Sequence, residues 1–322
     1  MYHRVTEEER RHIHRWRQES NGILEIARRL ARSPSTISRE IQRNTGGHGY
    51  RHQQAHAKAQ ARARRYVPRR FMEEILAYAE PWLREEGWTP QIICERARKE
   101  GFAHVCKETL YRYIYADAKV GGTLWKCLTR VRRKRWRRCP RLDGRGRGRI
   151  LNQRMIDTRP AEVETRLRVG DWEGDLINGA AGTGYLVTLV ERNTRFTLVG
   201  RTQSKRADEV ARAIIDLFLR LPARARRTVT FDNGKEFAGH EKIARKLKMD
   251  VFFAHPYHAW ERGTNENVNG LIRRLYPKRS SFAEVAVEQL SRIDRYVNHR
   301  PRKCLGWDTP REKLSSFLGF AV

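Results

Sequence analysis

Residues 169–177 read Val169-Gly170-Asp171-Trp172-Glu173-Gly174-Asp175-Leu176-Ile177. The stretch has a period of two. As an extended strand it sets Asp171, Glu173 and Asp175 on one face and Trp172 and Leu176 on the other. Residues 185–191 and 196–202 are rich in Val, Leu and Thr and flank a short polar turn, which predicts two further strands. Beyond them the period lengthens: an amphipathic helix over 207–221, a short strand over 227–231 and a helix over 238–247. A short strand over 251–253 follows, then a helix over 264–275 that Pro277 stops. Three consecutive strands followed by alternating helix and strand predict a mixed α/β sheet.

Upstream the chain reads as helices. Thr6 and Glu9 form a capping box that opens a helix to about Glu19, and Asn21-Gly22 breaks it. Ile23, Ile26, Ala27 and Leu30 recur at helical spacing. After a tight turn at 31–33, Ser33-Pro34 opens another helix, with Pro at its first position. That helix carries Ser35, Thr36, Ser38, Arg39, Gln42 and Arg43 on its polar side, and helix, short turn, helix with base-reaching side chains is a DNA-reading arrangement. His48, His52 and His56 follow at four-residue intervals without a carboxylate, which reads as a solvated or phosphate-facing helix rather than a metal stripe. Thr89-Pro90 opens a helix that Gly101 stops. Residues 107–115 form the next helix, so a second helix-turn-helix unit is expected, with Lys107, Thr109 and Arg112 toward DNA.

Charge supports the same division. Lys and Arg outnumber Asp and Glu by 67 to 37 in 322 residues, and nucleic acid is the usual anion for such an excess. Residues 1–150 hold +20 of the net +30, so the front half is the expected DNA-gripping part. Residues 126–149 hold 12 basic residues and one acid, interrupted by Gly144, Gly146 and Gly148, as a basic linker that tracks phosphates would. Five cysteines, an odd number with no Cys-x-x-Cys pair, argue against a zinc site and against a disulfide framework. No apolar run approaches membrane-spanning length and the N-terminus has no apolar signal region, so a cytoplasmic, nucleoid-associated protein with no membrane partner is expected. The expected domains are 1–66 and 67–120, both helix-turn-helix, a linker over 121–160 and a catalytic domain over 161–322.

Three acids fall where this layout would gather them. Asp175 lies on the first strand, Asp232 just past a strand end in Phe231-Asp232-Asn233-Gly234, and Glu266 on a helix, with 33 residues between it and Asp232. Phosphodiester cleavage needs charge neutralised on both the attacking and the leaving oxygen, which two Mg²⁺ ions held by carboxylates provide, with Mn²⁺ able to substitute. Glu173 is the main rival to Asp175 and Asp171 a weaker one. Glu236 and Glu261 read as surface or supporting acids, and His255 and His258 as either DNA-facing or packed. Arg273, two helical turns beyond Glu266, would lie on the same face and grip phosphate beside the metals.

Trp172-Glu173-Gly174-Asp175, Phe231-Asp232-Asn233-Gly234-Lys235-Glu236-Phe237 and Arg262-Gly263-Thr264-Asn265-Glu266-Asn267-Val268-Asn269-Gly270-Leu271 resemble the three motifs of insertion-sequence-30 family transposases. The 33-residue spacing resembles that family's Asp-Asp-Glu pattern. The tail from Asn298 to Pro310 resembles the ending of integrase-type domains, and 35–40 and 108–114 resemble the family's two helix-turn-helix units. The resemblance implies all-α helix-turn-helix domains followed by an α/β ribonuclease-H-like catalytic domain of the retroviral integrase superfamily. It implies binding to terminal inverted repeats, Mg²⁺-dependent cleavage and strand transfer into target DNA, and a homo-oligomer of at least two copies. The family's catalytic acids fall on Asp175, Asp232 and Glu266. Where the family has Ser-Pro-Trp-Gln-Arg-Gly, this chain has His258-Ala259-Trp260-Glu261-Arg262-Gly263, which adds a charge and removes a proline ahead of the catalytic helix.

Overall fold

The structure, a computed structural model, describes residues 4–63, 69–128, 150–256, 258–283 and 285–320. Most of the basic linker, residues 129–149, lies outside the described residues. The chain divides into two compact units, Met1–Glu73 and Glu74–Val322.

The first unit holds α1 (Glu7–Gln18), α2 (Ile23–Arg29), α3 (Pro34–Asn44) and α4 (His52–Ala63). The Thr6–Glu9 capping box is formed, and Ser33 Oγ accepts from Thr36 N at 3.2 Å with Pro34 in the first turn of α3. Between α2 and α3 the chain turns tightly at Ala31, which has a φ of 50°. Ile13, Ile26, Ala27 and Ile37, one or two from each of α1 to α3, meet in a small core with Ala55 of α4. His52 and His56 lie on α4 without forming a stripe. His52 tilts against His14, and His56 contacts Arg10 and Gln60.

In the second unit α5 (Arg69–Arg84) enters a helical layer with α6 (Pro90–Glu100) and α7 (Lys107–Lys119). Thr89 caps α6, and Gly101, at φ 76°, ends it in the left-handed region that glycine adopts without strain. This layer is joined to the C-terminal tail. Arg96 of α6 donates to both carboxylate oxygens of Glu312, at 2.9 and 2.5 Å, and to the Trp307 carbonyl at 3.0 Å. Lys99 pairs with Asp308, and Arg300 donates to the Gly87 carbonyl at 2.9 Å. Arg96 is only 13% exposed, and its loss would remove the cation shared by Glu312 and Glu100, leaving them the Thr309 N–H and the Tyr78 hydroxyl respectively. Arg96→Ala is expected to lower stability by about 1–3 kcal/mol, read as a fall of several degrees in the melting of the larger unit. An unchanged melt would remove this contact from the tie between helical layer and tail.

After the one-turn helix α8 (Glu162–Thr165) come β1 (Asp171–Asn178), β2 (Tyr185–Glu191), β3 (Thr197–Thr202), α9 (Ala207–Leu219), β4 (Thr228–Phe231), α10 (His240–Leu247), β5 (Asp250–Phe253), α11 (Gly263–Leu275), α12 (Val287–Asn298) and α13 (Pro310–Leu318). The strands form one sheet in the order β3-β2-β1-β4-β5. β1, β2 and β3 are antiparallel, whereas β4 and β5 run parallel to β1, so the sheet is mixed as its pattern predicts. Both faces are covered. Trp172, Val187, Leu189 and Phe231 meet α9, α10 and α13 on one side. Ile177, Leu186, Val190 and Val199 meet α11 and α12 on the other. β2 is therefore a near-continuous apolar run, as double burial requires. Residues 150–160, which the sequence reads as the end of the linker, pack on the sheet edge: Phe253 N donates to the Arg154 carbonyl at 2.9 Å, and Met155 bridges Phe253 in parallel register.

Candidate active site

β1 and β4 pair in parallel through Glu173 and Thr230. Asp175 and Asp232 each lie two residues beyond that pair, so the same pleat aims both side chains at α11. Gly174 between the acids is required by packing on the opposite face, where a Cβ would lie 2.2 Å from the Phe231 ring. β4 ends at Phe231, and the turn that follows is pinned twice. Asp232 Oδ1 accepts from Gly234 N at 3.1 Å, and Asn233 Nδ2 donates to the Ala254 carbonyl at 2.6 Å.

A single guanidinium joins the two carboxylates. Arg262, just ahead of α11, lies 3.2 Å from Asp232 Oδ2 and 3.5 Å from Asp175 Oδ1, and donates to the Gly174 carbonyl at 3.3 Å. Burial pushes the Asp175 carboxyl above its usual range; Arg262 opposes that shift and the charge of Asp232 adds to it. Asn269 Nδ2 donates to Asp175 Oδ2 at 2.6 Å, and Thr188 of β2 donates to Asn269 Oδ1 at 3.0 Å, which fixes the amide's orientation.

Glu266 is exposed on the first turn of α11, three residues before Asn269, and has no hydrogen-bond or ion-pair partner among the described residues. The structure thus gathers Asp175 and Asp232 but does not draw Glu266 into a three-carboxylate cluster. Among the described residues no three potential metal ligands converge. The integrase-core fold implies a divalent metal, and the donor chemistry fits one: two hard carboxylate oxygens already enclose a cation, and a third carboxylate stands one helical turn from the residue that orients the first.

The rivals of Asp175 are committed elsewhere. Asp171 takes Arg168 at 2.7 Å and the Thr228 hydroxyl at 2.8 Å. Glu173 is fully buried and takes Arg192 at 2.9 Å. Arg273 donates to the Asn178 carbonyl at 2.7 Å, and burial lowers its pKa. Glu261 accepts from His255 N at 2.8 Å and lies 3.0 Å from His255 Nδ1, while Asp157 lies 2.8 Å from Nε2. The bond to Glu261 holds the imidazole pKa above its ordinary value, so this clasp is complete below the usual imidazole range and is lost as pH rises through the raised value.

In the first unit Ser35, Arg39 and Arg43 are exposed at four-residue spacing along α3, with Thr36 and Ser38 half-buried. Arg39 folds back onto the Ser35 carbonyl at 2.9 Å. On α7, Lys107 and Arg112 are exposed and Thr109 is half-buried against Cys106. Sequence reasoning missed Arg262 and Asn269 as site residues. For Asn269 the signal was its spacing of three from Glu266 on the same helical face. For Arg262 there was none beyond its place in the motif.

Residues 1–44 match a helix-turn-helix domain family, and residues 168–259 match the integrase core domain, a span that includes Asp175 and Asp232 and ends before Glu266. Together they define a DNA-binding polynucleotidyl transferase with a ribonuclease-H-like core. The chain is 38% identical over 99% of its length to the transposase for insertion sequence element IS4351 of Bacteroides fragilis, covering 97% of that protein. It is 34% identical to the transposase for IS1086 of Cupriavidus metallidurans, over 98% of this chain and 96% of that one. It is also 34% identical to transposase InsI for IS30A of Escherichia coli K12, over 96% of this chain and 82% of that one. The chain belongs to the insertion-sequence-30 family of transposases. Among the described residues no helix is long and apolar enough to cross a membrane.

Proposed function

We propose that this transposase binds the terminal inverted repeats of its element and carries out Mg²⁺-dependent strand cleavage and strand transfer at Asp175, Asp232 and Glu266. The observation that carries the reading is the pair of carboxylates on adjacent parallel strand ends, enclosing a guanidinium and facing the helix that bears Glu266. Two bound Mg²⁺ ions would neutralise the attacking and leaving oxygens of the phosphodiester. The chain's own residues set the geometry. Asp175 and Asp232 would hold metal from the sheet and Glu266 from α11. Asn269 fixes which Asp175 oxygen faces the site, and Arg262, which holds both carboxylates in the metal-free protein, would be free to meet substrate phosphate as a cation once metal took its place. The exposed stripe of α3 reads the element ends, while Lys107, Thr109 and Arg112 of α7 and Arg273 add DNA contacts. Two ends must be held together, so the active form is an oligomer of at least two copies. The division into 1–66, 67–120, 121–160 and 161–322 assigns end reading, a second DNA contact, phosphate tracking and chemistry in that order, with residues 150–160 at the end of the third segment docked on the catalytic sheet.

The test is cleavage and strand transfer on DNA carrying the element's own end with Mg²⁺, for the parent beside Asp175→Asn, Asp232→Asn and Glu266→Gln. Activity lost in all three supports the triad, and activity kept in any one removes that residue from it. A second expectation concerns Arg262. Because an incoming ion must displace the guanidinium, Arg262→Ala is expected to tighten divalent-metal binding by the DNA-free protein roughly fivefold, equivalent to about 1 kcal/mol of ion pairing. Calorimetric titration measures this, and weaker binding by the variant would mean that Arg262 holds the carboxylates open for metal rather than competing with it.

A further inference from the structure

Behind the carboxylate pair runs a closed chain of charged groups. Glu173 is fully buried on β1. Its Oε2 accepts from the backbone N–H of Thr264 at 3.1 Å and of Asn265 at 3.2 Å, and its Oε1 accepts from Arg192 at 2.9 Å. Arg192 continues to Glu164 at 3.1 Å, Glu164 takes Arg159, and Arg159 donates to the Thr230 hydroxyl at 2.8 Å. Thr230 is the ladder partner of Glu173, which closes the circuit. The circuit touches the chain two residues before Asp175, two before Asp232, and one and two before Glu266.

Its attachment to α11 is the informative one. The first N–H groups of a helix have no partner within the helix and carry its positive end. Nothing on α11 satisfies them, because Arg262 at the cap position makes no side-chain capping bond. Glu173 does so from a different element. A buried carboxylate is costly unless every oxygen is engaged, and an apolar residue would fill the same space without that demand. The charge at 173 is accounted for by what it holds.

We propose that Glu173 is a positioning residue. Its carboxylate caps α11 across the fold and fixes the depth and rotation of the helix's first turn, so that Asn269 meets Asp175 and Glu266 is presented one turn earlier on the helix, ready to join the pair when metal binds. The proposal rests on the triad reading. Thr264 and Asn265 are gripped directly, and one residue later the chain delivers Glu266, so a small rotation of this turn moves the third carboxylate away from the strand ends.

The experiment uses the full-length protein and four readouts: thermal unfolding, binding of element-end DNA, Mn²⁺ binding by the DNA-free protein followed by paramagnetic resonance, and single-turnover cleavage at saturating DNA. Removing one member of a buried ion pair destabilises, so both charges are removed together. Glu173→Leu/Arg192→Met lacks the acceptor. Glu173→Gln/Arg192→Gln keeps an oxygen for the two N–H groups. Asp171→Asn is the control, a buried carboxylate on the same strand face whose partners are Arg168 and Thr228 rather than α11. The Leu/Met pair is expected to lose about 10–100-fold in cleavage and in Mn²⁺ affinity, with DNA affinity unchanged. The Gln/Gln pair should recover most of that loss, and Asp171→Asn should lower only stability. Parental cleavage and Mn²⁺ binding by the Leu/Met pair would overturn the proposal, as would equal losses in the Leu/Met and Gln/Gln pairs or in the control. Asp232→Asn run alongside reports on the triad itself: if it cleaves at the parental rate, the triad reading fails and the positioning role falls with it.

Discussion

Asp232→Asn is expected to reduce metal-dependent cleavage of element-end DNA by about 10³-fold or more, while the DNA-free protein melts within about 1 kcal/mol of the parent. The two halves of this expectation come from different features of the site. Asn keeps the shape of the side chain and an oxygen for the Gly234 N–H, so the turn after β4 survives. In the metal-free protein the Asp232 charge also acts against its neighbour, contributing to the raised pKa of Asp175. Removing it relieves that repulsion while weakening one contact to Arg262, and the two changes offset. Catalysis has no such compensation, because a neutral amide cannot replace a carboxylate opposite a divalent ion whose charge stabilisation is worth several kcal/mol. Added Mg²⁺ should therefore raise the melting temperature of the parent and much less that of the variant, since stabilisation by a ligand scales with its affinity for the native state. This readout needs no DNA and no turnover. Cleavage by Asp232→Asn at the parental rate would remove Asp232 from the chemistry.

The sheet was legible because its signals are local. Trp172 and Leu176 against Asp171, Glu173 and Asp175 is a period of two on a strand whose two faces do different work, and Ser33-Pro34 marks the start of α3 with cap and proline together. What distinguishes Glu173 from Asp175 was not legible. Both are acids on the same face two residues apart, and only the approach of α11, some ninety residues later, consumes one of them as a cap and leaves the other for the site. Arg262 and Asn269 were obscure for the same reason, since their role is set by the distance from a helix to a strand that no window of sequence contains. Arg273 shows the converse limit. Helical spacing puts it on the face of Glu266, yet spacing cannot reveal that the end of β1 lies within reach and takes its guanidinium at the Asn178 carbonyl. Residues 150–160 carry no strand period because they are held to the sheet edge by one main-chain bond and one bridge at Phe253 and by scattered side chains, Ile150 and Met155 against the core and Arg159 on Thr230, rather than by an alternating face.

Glu40→Ala is expected to unfold the N-terminal unit at physiological temperature and abolish end-specific binding, although residue 40 lies among the residues of α3 proposed to face DNA. Its carboxylate points the other way. It takes Arg10 Nε at 2.7 Å and Arg10 Nη2 at 3.2 Å from α1, Asn44 Nδ2 at 2.7 Å, and the Tyr50 hydroxyl at 3.2 Å. Both members of the Arg10–Glu40 pair are more than nine-tenths buried. Replacing Glu40 with Ala leaves a buried guanidinium with no opposing charge and takes an acceptor from Asn44 and Tyr50 as well, a loss of about 3–5 kcal/mol. At roughly 0.05–0.15 kcal/mol per residue, a unit of the size of Met1–Glu73 has only about 4–11 kcal/mol to lose. The same carboxylate sets the rotation of α3. Arg10 and Tyr50 grip it from the core side, which turns Ser35, Arg39 and Arg43 outward as one stripe. Calorimetry should show the transition of the small unit lowered or absent and that of the larger unit unmoved. Binding to end-sequence DNA should fall to the level of random DNA at the same salt concentration. A variant that keeps the parental melt but loses end binding would mean that Glu40 contacts DNA directly. One that keeps both would mean that the apolar core of Ile13, Ile26 and Ile37 suffices to hold the recognition helix.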